Sequence, residues 1–293
     1  AGTPLVFAAL GELVTERAGV LNLGVEGMML VGAIVAFMAA SATGDLWLGV
    51  LCALGAGAAM ALIFALLTVT LQANQVAAGL ALSIFGVGLS AFIGKNYVGV
   101  ALQGVPRSDV SWMKEIPLLG PLLLQLHPLV YVSWLLFAAV SWFLFKSRSG
   151  LVLRAVGESP SSAHAIGYPV TSIRYLATLF GGAMAGVAGA YLSLVYAPLW
   201  LEGMTAGRGW IALALVVFAS WRPGRVLVGA YLFGGVTITQ LFAQGAGIAF
   251  ASEAMSALPY LATIVVLVVI SRDLAMIRLN APVSLGKPFH PDS

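Results

Sequence analysis

Charged and amide side chains interrupt the apolar sequence near its start. They are Glu12, Glu16, Arg17, Asn22 and Glu26, with glycines among them at positions 19, 24 and 27. A charged group near the interior of a membrane is energetically expensive, so such a cluster favours a functional role, for example along a solute or ion pathway. The cluster also fits a cytoplasmic turn in which Glu16 and Arg17 are solvated. Composition leaves both interpretations open.

A second polar interruption occupies residues 197–224, with Glu202 and Arg208 at its outer end. The triplets Glu26-Gly27-Met28 and Glu202-Gly203-Met204 repeat each other on opposite predicted sides of the membrane, as inverted repeats would place them. Chance repetition of three residues also explains this similarity. Glu202 and Arg208 also fit a surface ion pair, which would contribute little stability.

Neutral polar residues lie at the ends of apolar stretches or inside them. The amides Gln75 and Gln240 are candidates for a translocation pathway, because a sugar-like solute needs neutral hydrogen-bond donors and acceptors. Further amides and hydroxyls of this kind are Gln72, Asn74, Ser83, Ser90, Thr237, Thr239 and Gln244. Hydrogen bonds between neighbouring helices explain the same residues equally well.

The longest polar segment that suits a protein partner runs from Lys146 to Arg174. Ser159 is a good N-cap, Pro160 suits the first helical position, and Gly167 can end a helix in the left-handed conformation. These signals predict a short helix over 160–166, which would expose a small apolar surface to water. That surface would consist of Ala163, Ala165 and Ile166.

A second short helix is predicted just upstream, over 151–156, and ends at Gly157, with Arg154 projecting from it. The pair of helices lies between two membrane spans and fits a segment that meets a protein partner. The pattern alone is also typical of an interfacial loop whose apolar residues rest on lipid headgroups.

Composition defines the class of protein. Hydrophobic residues make up 60% of the 293 residues and charged residues 9%, with a mean hydropathy of +1.01. A soluble domain carries about 25% charged residues, so the chain is a polytopic membrane protein. The net charge of +3 follows from basic residues that sort by membrane side, and nucleic-acid binding is not supported. Because the chain starts at Ala1 within an apolar run, we expect a truncated N-terminus.

Apolar stretches of about 20 residues predict roughly nine membrane crossings. The predicted spans are 3–15, 24–43, 46–71, 75–94, 128–146, 172–197, 208–221, 225–245 and 256–271. The first and the seventh are too short to cross alone, and we expect the seventh to follow a broken helix. The external loop is predicted over 95–127 and the cytoplasmic tail over 272–293.

The basic residues predict which side faces the cytoplasm. Ten of the fourteen fall on one side of these spans, and the excess makes that side cytoplasmic. They are Arg17, Lys146, Arg148, Arg154, Arg174, Arg222, Arg225, Arg272, Arg278 and Lys287. The chain would then begin outside and end inside.

The sequence lacks the motifs that ATP hydrolysis, other hydrolase reactions and zinc binding require. The Gly286-Lys287 pair lacks the upstream glycine of a phosphate-binding loop and is followed by Pro288, so the chain is not expected to hydrolyse ATP. The histidines are isolated, and no hydrolase or zinc motif occurs. Cys52 lies in an apolar span and fits a small packing residue.

Two runs resemble the permease subunits of ABC importers of the simple-sugar, nucleoside and branched-chain amino acid group. In the polar loop, the family's pattern R-A-x-G-x-(N/S)-x-x-A-A-x-x-x-G is matched at Arg154, Ala155, Gly157, Ser159, Ala163 and Gly167. His164 stands where many relatives have alanine, and Ser159 where many have asparagine. Near the start, the run from Gly11 to Ala33 resembles the nucleoside and simple-sugar branch, matched at Gly11, Glu12, Thr15, Glu16, Arg17, Ala18, Gly19, Val20, Leu21, Asn22, Gly24, Glu26, Gly27, Met28, Met29, Leu30, Gly32 and Ala33.

The resemblance implies an all-α fold like that of type II ABC importers, with residues 1–293 as a single transmembrane permease domain. Loop 147–171 would couple to a cytoplasmic ABC ATPase through Arg154, Gly157, Glu158, Ser159, Pro160, Ala163, Ile166 and Gly167. The translocation and gating candidates are Asn22, Glu26, Gln75, Glu202, Arg208 and Gln240.

The resemblance also implies partners and a location. They are an extracytoplasmic solute-binding protein, a second permease subunit that is a paralogue or another copy, and membrane lipid, in a bacterial or archaeal plasma membrane. ATP and Mg²⁺ would be bound by the ATPase, and no cofactor or metal by this chain. The cargo would be a nucleoside or simple sugar, with a branched-chain amino acid as the alternative.

Two rival functions make different demands on the sequence. A secondary transporter would usually place ionisable residues at mid-membrane for ion coupling, and the predicted third, fifth, sixth and eighth spans have none in their centres. An intramembrane enzyme would need a nucleophile and a base inside the bilayer, and no histidine lies in the centre of a span.

Overall fold

A computed structural model describes residues 1–102, 126–245, 257, 261, 262, 264, 265 and 280–290. Ten α-helices are formed in this part of the chain, and the all-α prediction is confirmed. Regular strands are absent from these residues, where β-type pairing is limited to two isolated bridges, Val98 with Trp200 and Ala101 with Leu199. These bridges join the start of the predicted external loop to the segment after residue 197.

The helices follow one another with short connections. They are α1 (Thr3–Arg17), α2 (Val25–Thr43), α3 (Leu46–Ala65), α4 (Gln75–Gly94), α5 (Pro128–Lys146), α6 (Arg148–Glu158), α7 (Pro160–Ala165), α8 (Val170–Tyr191), α9 (Arg208–Phe218) and α10 (Pro223–Gly245). A π-helical turn extends α3 over Leu66–Thr70 and α8 over Leu192–Tyr196, and a 3₁₀ turn over Lys95–Tyr97 follows α4.

Among the described residues, six helices are long and apolar enough to cross a membrane: α2, α3, α4, α5, α8 and α10, with α3, α4 and α8 including their terminal turns. The predicted count of nine is not confirmed. Helix α1 has 15 residues and α9 has 11, which agrees with the expectation that the first and seventh spans are short. Most of the predicted ninth span and most of the external loop lie outside the described residues.

The centre of the bundle is built on close contact between helix backbones. A Cβ atom on Gly57 of α3 would lie 2.1 Å from the carbonyl oxygen of Gly182 on α8, and one on Gly32 of α2 would lie 2.5 Å from the Cα of Gly186. In lipid, small residues allow such an approach and favour van der Waals packing. These four glycines therefore allow close helix packing inside this subunit.

Local signals set the helix ends. Asp45 caps α3 by accepting from the amide of Trp47 at 2.8 Å, and Asn74 caps α4 by accepting from Ala77. His127 caps α5 through Nδ1, which accepts from the amide of Leu129. Burial lowers the pKa of His127, which favours the neutral imidazole that this cap requires.

Several basic residues gather at one end of the bundle, called here the basic end. Arg17 lies near Arg154 and Arg222, and Arg174 donates to the carbonyl of Lys287. All five belong to the set predicted to face the cytoplasm. The assignment of this end to the cytoplasm stays a prediction from the charge asymmetry.

Candidate functional site: a broken-helix centre and a loop at the basic end

The backbone between α1 and α2 leaves the helical conformation inside the protein, where its polar groups need partners. Side chains supply them. The amide of Asn22 donates to Glu12 Oε1 at 3.1 Å, and the amide of Leu21 donates to Gln75 Oε1 at 2.7 Å. Asn22 Oδ1 in turn accepts from Gly24. The candidates Asn22 and Gln75 thus hold the turn that leads into α2.

Glu12, Glu16 and Arg17 are buried, so the alternative of a solvated turn is wrong. One carboxylate oxygen of each glutamate has no hydrogen-bond partner among the described residues. The cost of burying these groups indicates that their placement matters for more than stability.

Glu26 lies at the start of α2, only 7% exposed, and its carboxylate faces the start of α9. Oε1 accepts from the hydroxyl of Thr205 at 2.6 Å and from the amide of Gly207 at 2.9 Å. Oε2 accepts from the amide of Gly209 at 2.6 Å. The first amides of a helix have no partner within it, and the N-terminal end of the helix carries partial positive charge. The carboxylate of Glu26 accepts hydrogen bonds from these amides, and its negative charge balances the partial positive charge.

Gly209 makes this approach possible. A Cβ at that position would lie 2.5 Å from the Cα of Glu26, closer than real Cβ contacts allow. Gly207 precedes α9 with a φ of +79°, a left-handed conformation that glycine adopts without strain. The two glycines therefore bring the start of α9 directly onto the start of α2.

The other end of α9 is bonded to α1. Trp221 Nε1 donates to Glu16 Oε2, and Arg17 donates to the carbonyl of Trp221 at 2.9 Å. Helix α9 spans about 16 Å at 1.5 Å per residue, roughly half of a hydrocarbon layer of about 30 Å. Gly27, which follows Glu26, packs against the backbone of Leu82 and Ser83 near the middle of α4, so Glu26 lies near mid-depth of the bundle.

Among the remaining gating candidates, Arg208 lies between the two amide donors of Glu26, but its side chain is directed elsewhere. Glu202 and Gln240 make no hydrogen bond to Glu26 among the described residues. Glu202 is exposed, and Arg208 donates to the carbonyls of Met204 and Thr205 and lies over the ring of Tyr196. No ion pair joins Glu202 and Arg208 in the described structure. Gln240 is half-buried on α10.

The two Glu-Gly-Met triplets occupy different environments. Glu26 is buried at the start of a helix, whereas Glu202 is exposed in a turn before Gly203, whose φ is +66°. The repeat therefore does not place the two glutamates in equivalent positions.

Sequence reasoning missed the partners of Glu26 and Glu16, namely Thr205, Gly209 and Trp221. A signal for them was present. Gly207 and Gly209 flank Arg208 where α9 starts, and Trp221-Arg222-Pro223-Gly224 is a helix-breaking run where it ends. The identity of the buried partner depends on tertiary packing, which the local pattern does not specify.

The loop between α5 and α8 forms the two predicted short helices. Ser159 caps α7 by accepting from the amide of Ser162 at 3.3 Å, and Gly167 has a φ of +93°. Both expectations are confirmed. Helix α6 is longer than predicted, Arg148–Glu158, because Ser147 caps it by accepting from the amide of Gly150 at 2.9 Å.

The predicted water-facing surface of α7 is only partly correct. Ala165 and Ile166 are exposed, and Ile166 keeps 73% of its surface. Ala163 is wrong as a surface residue, because it is 2% exposed and packs with Val156 and Val170 in a small core. That core joins α6, α7 and the start of α8, and it needs one apolar residue from the inner side of α7.

The end of α6 packs directly on the end of α1. A Cβ on Gly157 would lie 2.1 Å from the carbonyl oxygen of Arg17. Arg154 is half-buried, with its guanidinium over the ring of Phe145 at 5.3 Å, and Glu158 is exposed near Arg17. The loop is thus in contact with the helix that leads to Glu26.

Comparison with known proteins places the chain in a family. Residues 1–270 match the family described as "Branched-chain amino acid transport system / permease component". No solved structure gives a significant match.

Several curated relatives are similar along most of the chain. A putative glucose ABC transporter permease of Haloferax volcanii, TsgC13, is 43% identical over 312 aligned positions, which cover 99% of this chain and 95% of the relative. The guanosine ABC transporter permease NupQ of Bacillus subtilis is 32% identical over 79% of this chain and 76% of its own length. The nucleoside ABC transporter permease NupC of Lactococcus lactis is 30% identical, covering 90% and 88%.

These matches agree with the six apolar helices found among the described residues. The chain is a multi-pass integral membrane protein that belongs to this permease family, and it is the membrane-spanning permease subunit of an ABC importer.

Proposed function

We propose that this permease carries a neutral, hydroxyl-rich solute, a simple sugar or a nucleoside, and that the contact between α2 and α9 is part of its gate. The relatives named for glucose, guanosine and nucleosides support this class of cargo. One structural observation supports the proposal: the charged groups of Glu26 and Arg208 are bonded to partners within the protein.

The carboxylate of Glu26 is satisfied by three donors of its own chain, one hydroxyl and two amides. The guanidinium of Arg208 is likewise directed to two carbonyls and a tyrosine ring. A zwitterionic amino acid would need free charges of both signs, because a desolvated ammonium or carboxylate is costly without a partner. A neutral solute needs only amides and hydroxyls, and Gln240 and Thr239 of α10 suit that need.

We further propose that α6 and α7 dock on the cytoplasmic ATPase through the exposed side of loop 147–171. Ile166, Ala165 and the exposed carboxylate of Glu158 form this side, and Ser159, Pro160 and Gly167 fix its shape. A firmly capped pair of short helices transmits force better than a loop, because its ends are held by hydrogen bonds. A solute-binding protein and a second permease subunit complete the proposed complex.

A branched-chain amino acid is the second candidate cargo. It rests on one observation, the wording of the family description that matches residues 1–270. The two candidates differ in charge, so competition separates them.

The test is uptake by the permease reconstituted with its ATPase and binding protein in proteoliposomes containing ATP. We expect uptake of radiolabelled glucose or guanosine that an unlabelled sugar or nucleoside reduces and excess leucine leaves unchanged. A transporter that takes up leucine, and whose leucine uptake neither sugar nor nucleoside reduces, contradicts the proposal. ATP-free vesicles serve as the control for leakage.

A further inference from the structure

A segment near the C-terminal end of the chain lies across the basic end. Residues 280–290, here called the strap, contact six parts of the protein: α1, the turn after it, the segment before α4, α6, α7 and α8. Arg17 donates to the carbonyl of Asn280 at 3.1 Å, Gln72 donates to the carbonyl of Phe289 at 3.0 Å, and the ring of Phe289 lies against His164 of α7. Short polar contacts to regions far apart in sequence indicate a defined position for the strap.

The strap supplies the partners of a buried cation. Arg174, at the start of α8, is 2% exposed. Its two terminal nitrogens donate to the carbonyl of Lys287 at 3.1 Å and to Ser284 Oγ at 3.2 Å. No carboxylate pairs with it among the described residues. A buried guanidinium without partners is strongly unfavourable, so Arg174 favours the docked strap.

Ser284 joins this cation to the docking loop. Its amide and its hydroxyl both donate to the carbonyl of Gly157, at 3.0 and 2.6 Å. Gly157 lies in the last turn of α6, where carbonyl groups lack helical partners. Ser284 therefore satisfies the end of α6 while its hydroxyl accepts from Arg174.

The strap and Arg174 also contact Gly19, in the turn that leads to Glu26. The amide of Gly286 donates to the carbonyl of Gly19 at 3.3 Å. A Cβ on Gly19 would lie 2.3 Å from Ser284 Oγ and 3.0 Å from a nitrogen of Arg174. Gly19 has a φ of +85°, so both its conformation and its surroundings require glycine.

We infer that Arg174 and Ser284 are positioning residues for transport. They hold the strap in place, so that the strap transmits movement of α6 to the turn before α2. The inference rests on the proposed docking of the ATPase on α6 and α7. When α6 shifts, the carbonyl of Gly157 takes Ser284 with it, because separation would leave buried hydrogen-bonding groups and a charge without partners. Ser284 and Gly286 then move Gly19, and the turn that follows Gly19 leads to Glu26 at the start of α9.

The test compares Ser284→Ala and Arg174→Gln with the wild type in the assembled transporter. Arg225→Gln is the matched control, since Arg225 also lies at the basic end and its guanidinium, within the part of the chain that the structure describes, bonds to a local hydroxyl, Ser220 Oγ, at 3.4 Å. ATP hydrolysis and uptake of the labelled solute are measured in the same proteoliposomes. We expect both strap variants to hydrolyse ATP at nearly the wild-type rate while uptake per ATP falls roughly tenfold, the order expected for a lost buried hydrogen bond.

A second measurement does not depend on activity. Hydrogen exchange in residues 18–24 should rise in Ser284→Ala, whereas α10 should exchange as in the wild type. A general loss of stability would instead raise exchange everywhere and lower hydrolysis and uptake together. That result, or unchanged uptake per ATP in both variants, overturns the inference.

Binding of the ATPase to Ile166→Arg separates the proposed docking surface from the proposed role of the strap. If Ile166→Arg leaves binding of the ATPase unchanged, the docking surface is wrong whatever the strap variants do. If Ile166→Arg abolishes that binding and Ser284→Ala still transports with normal efficiency, docking stands and the positioning role of the strap is overturned.

Discussion

Glu26 Oε2 accepts a 2.6 Å hydrogen bond from the amide of Gly209, so that the carboxylate of one broken helix caps the N-terminal end of another. The two residues are far apart in sequence and meet near mid-depth of the bundle. A charged cap at this position is stronger than a neutral one, because the helix end carries partial positive charge and no water competes. The contact therefore stabilises the observed arrangement of α2 and α9.

Removing the charge of Glu26 should destabilise this arrangement. Glu26→Gln retains one acceptor oxygen but loses the second one and the ionic contribution. We expect a loss of about 1–3 kcal/mol. Thermal unfolding in detergent, followed by tryptophan fluorescence, measures it. Glu202→Gln is the matched control, because Glu202 is exposed and should leave the unfolding temperature unchanged.

Gly209 allows α9 to approach Glu26 closely, so a larger residue at this position should have a steric effect. Gly209→Ala should push α9 away from Glu26, because the new Cβ would meet the Glu26 backbone at 2.5 Å. We expect reduced thermal stability and loss of uptake. In Gly88→Ala and Gly235→Ala the added Cβ meets nothing within 4 Å, and the higher helix propensity of alanine should leave stability equal or slightly higher, by up to about 1 kcal/mol. Equal behaviour of all three variants would contradict the packing described here.

The two sides of α7 predict opposite phenotypes. Ala163→Arg places a charge in the small core with Val156 and Val170, and we expect the loop to lose its fold and to become sensitive to protease. Ile166→Arg changes an exposed side chain and should leave the permease intact while weakening its binding to the ATPase. Limited proteolysis and co-purification with the ATPase separate the two outcomes. A protease-resistant Ala163→Arg variant would show that the buried position is wrong.

Sidedness can be measured with single cysteines in a Cys52→Ala background. Thr43→Cys lies at the outer end of α2, and Ser162→Cys lies in α7. An impermeant thiol reagent added to intact cells should label the first and not the second, and permeabilised cells should allow both. Labelling of both residues in intact cells would refute the orientation predicted from the basic residues.

The sequence predicted those features that local chemistry determines. The caps at Ser159 and Gly167 were predicted because side-chain and backbone preferences act within a few residues. The polar run near Asn22 and Glu26 was recognised because charge is costly in a membrane. The partner of each charge was not predictable, since Glu26 meets Gly209, and Glu16 meets Trp221, only after the helices pack.

Ala163 shows the limit of a short pattern. An apolar residue on a six-residue helix fits a water-facing patch or a small core equally well, and only the neighbouring Val156 and Val170 decide between them. The strap was missed for a similar reason. Ser284 and Gly286 lie in the predicted cytoplasmic tail, where no local pattern marks them. Their contacts depend on Arg174 and Gly157, more than a hundred residues away.

We expect movement of the loop at the basic end to reach the contact between Glu26 and Gly209. Hydrogen exchange of residues 207–210 in the assembled transporter tests it most directly, with the nucleotide-free state compared with a state trapped by ATP and vanadate. We predict that trapping changes exchange at Gly209 in the wild type and has a much smaller effect in Ser284→Ala. Equal changes in the two proteins, or no change in the wild type, would contradict the account.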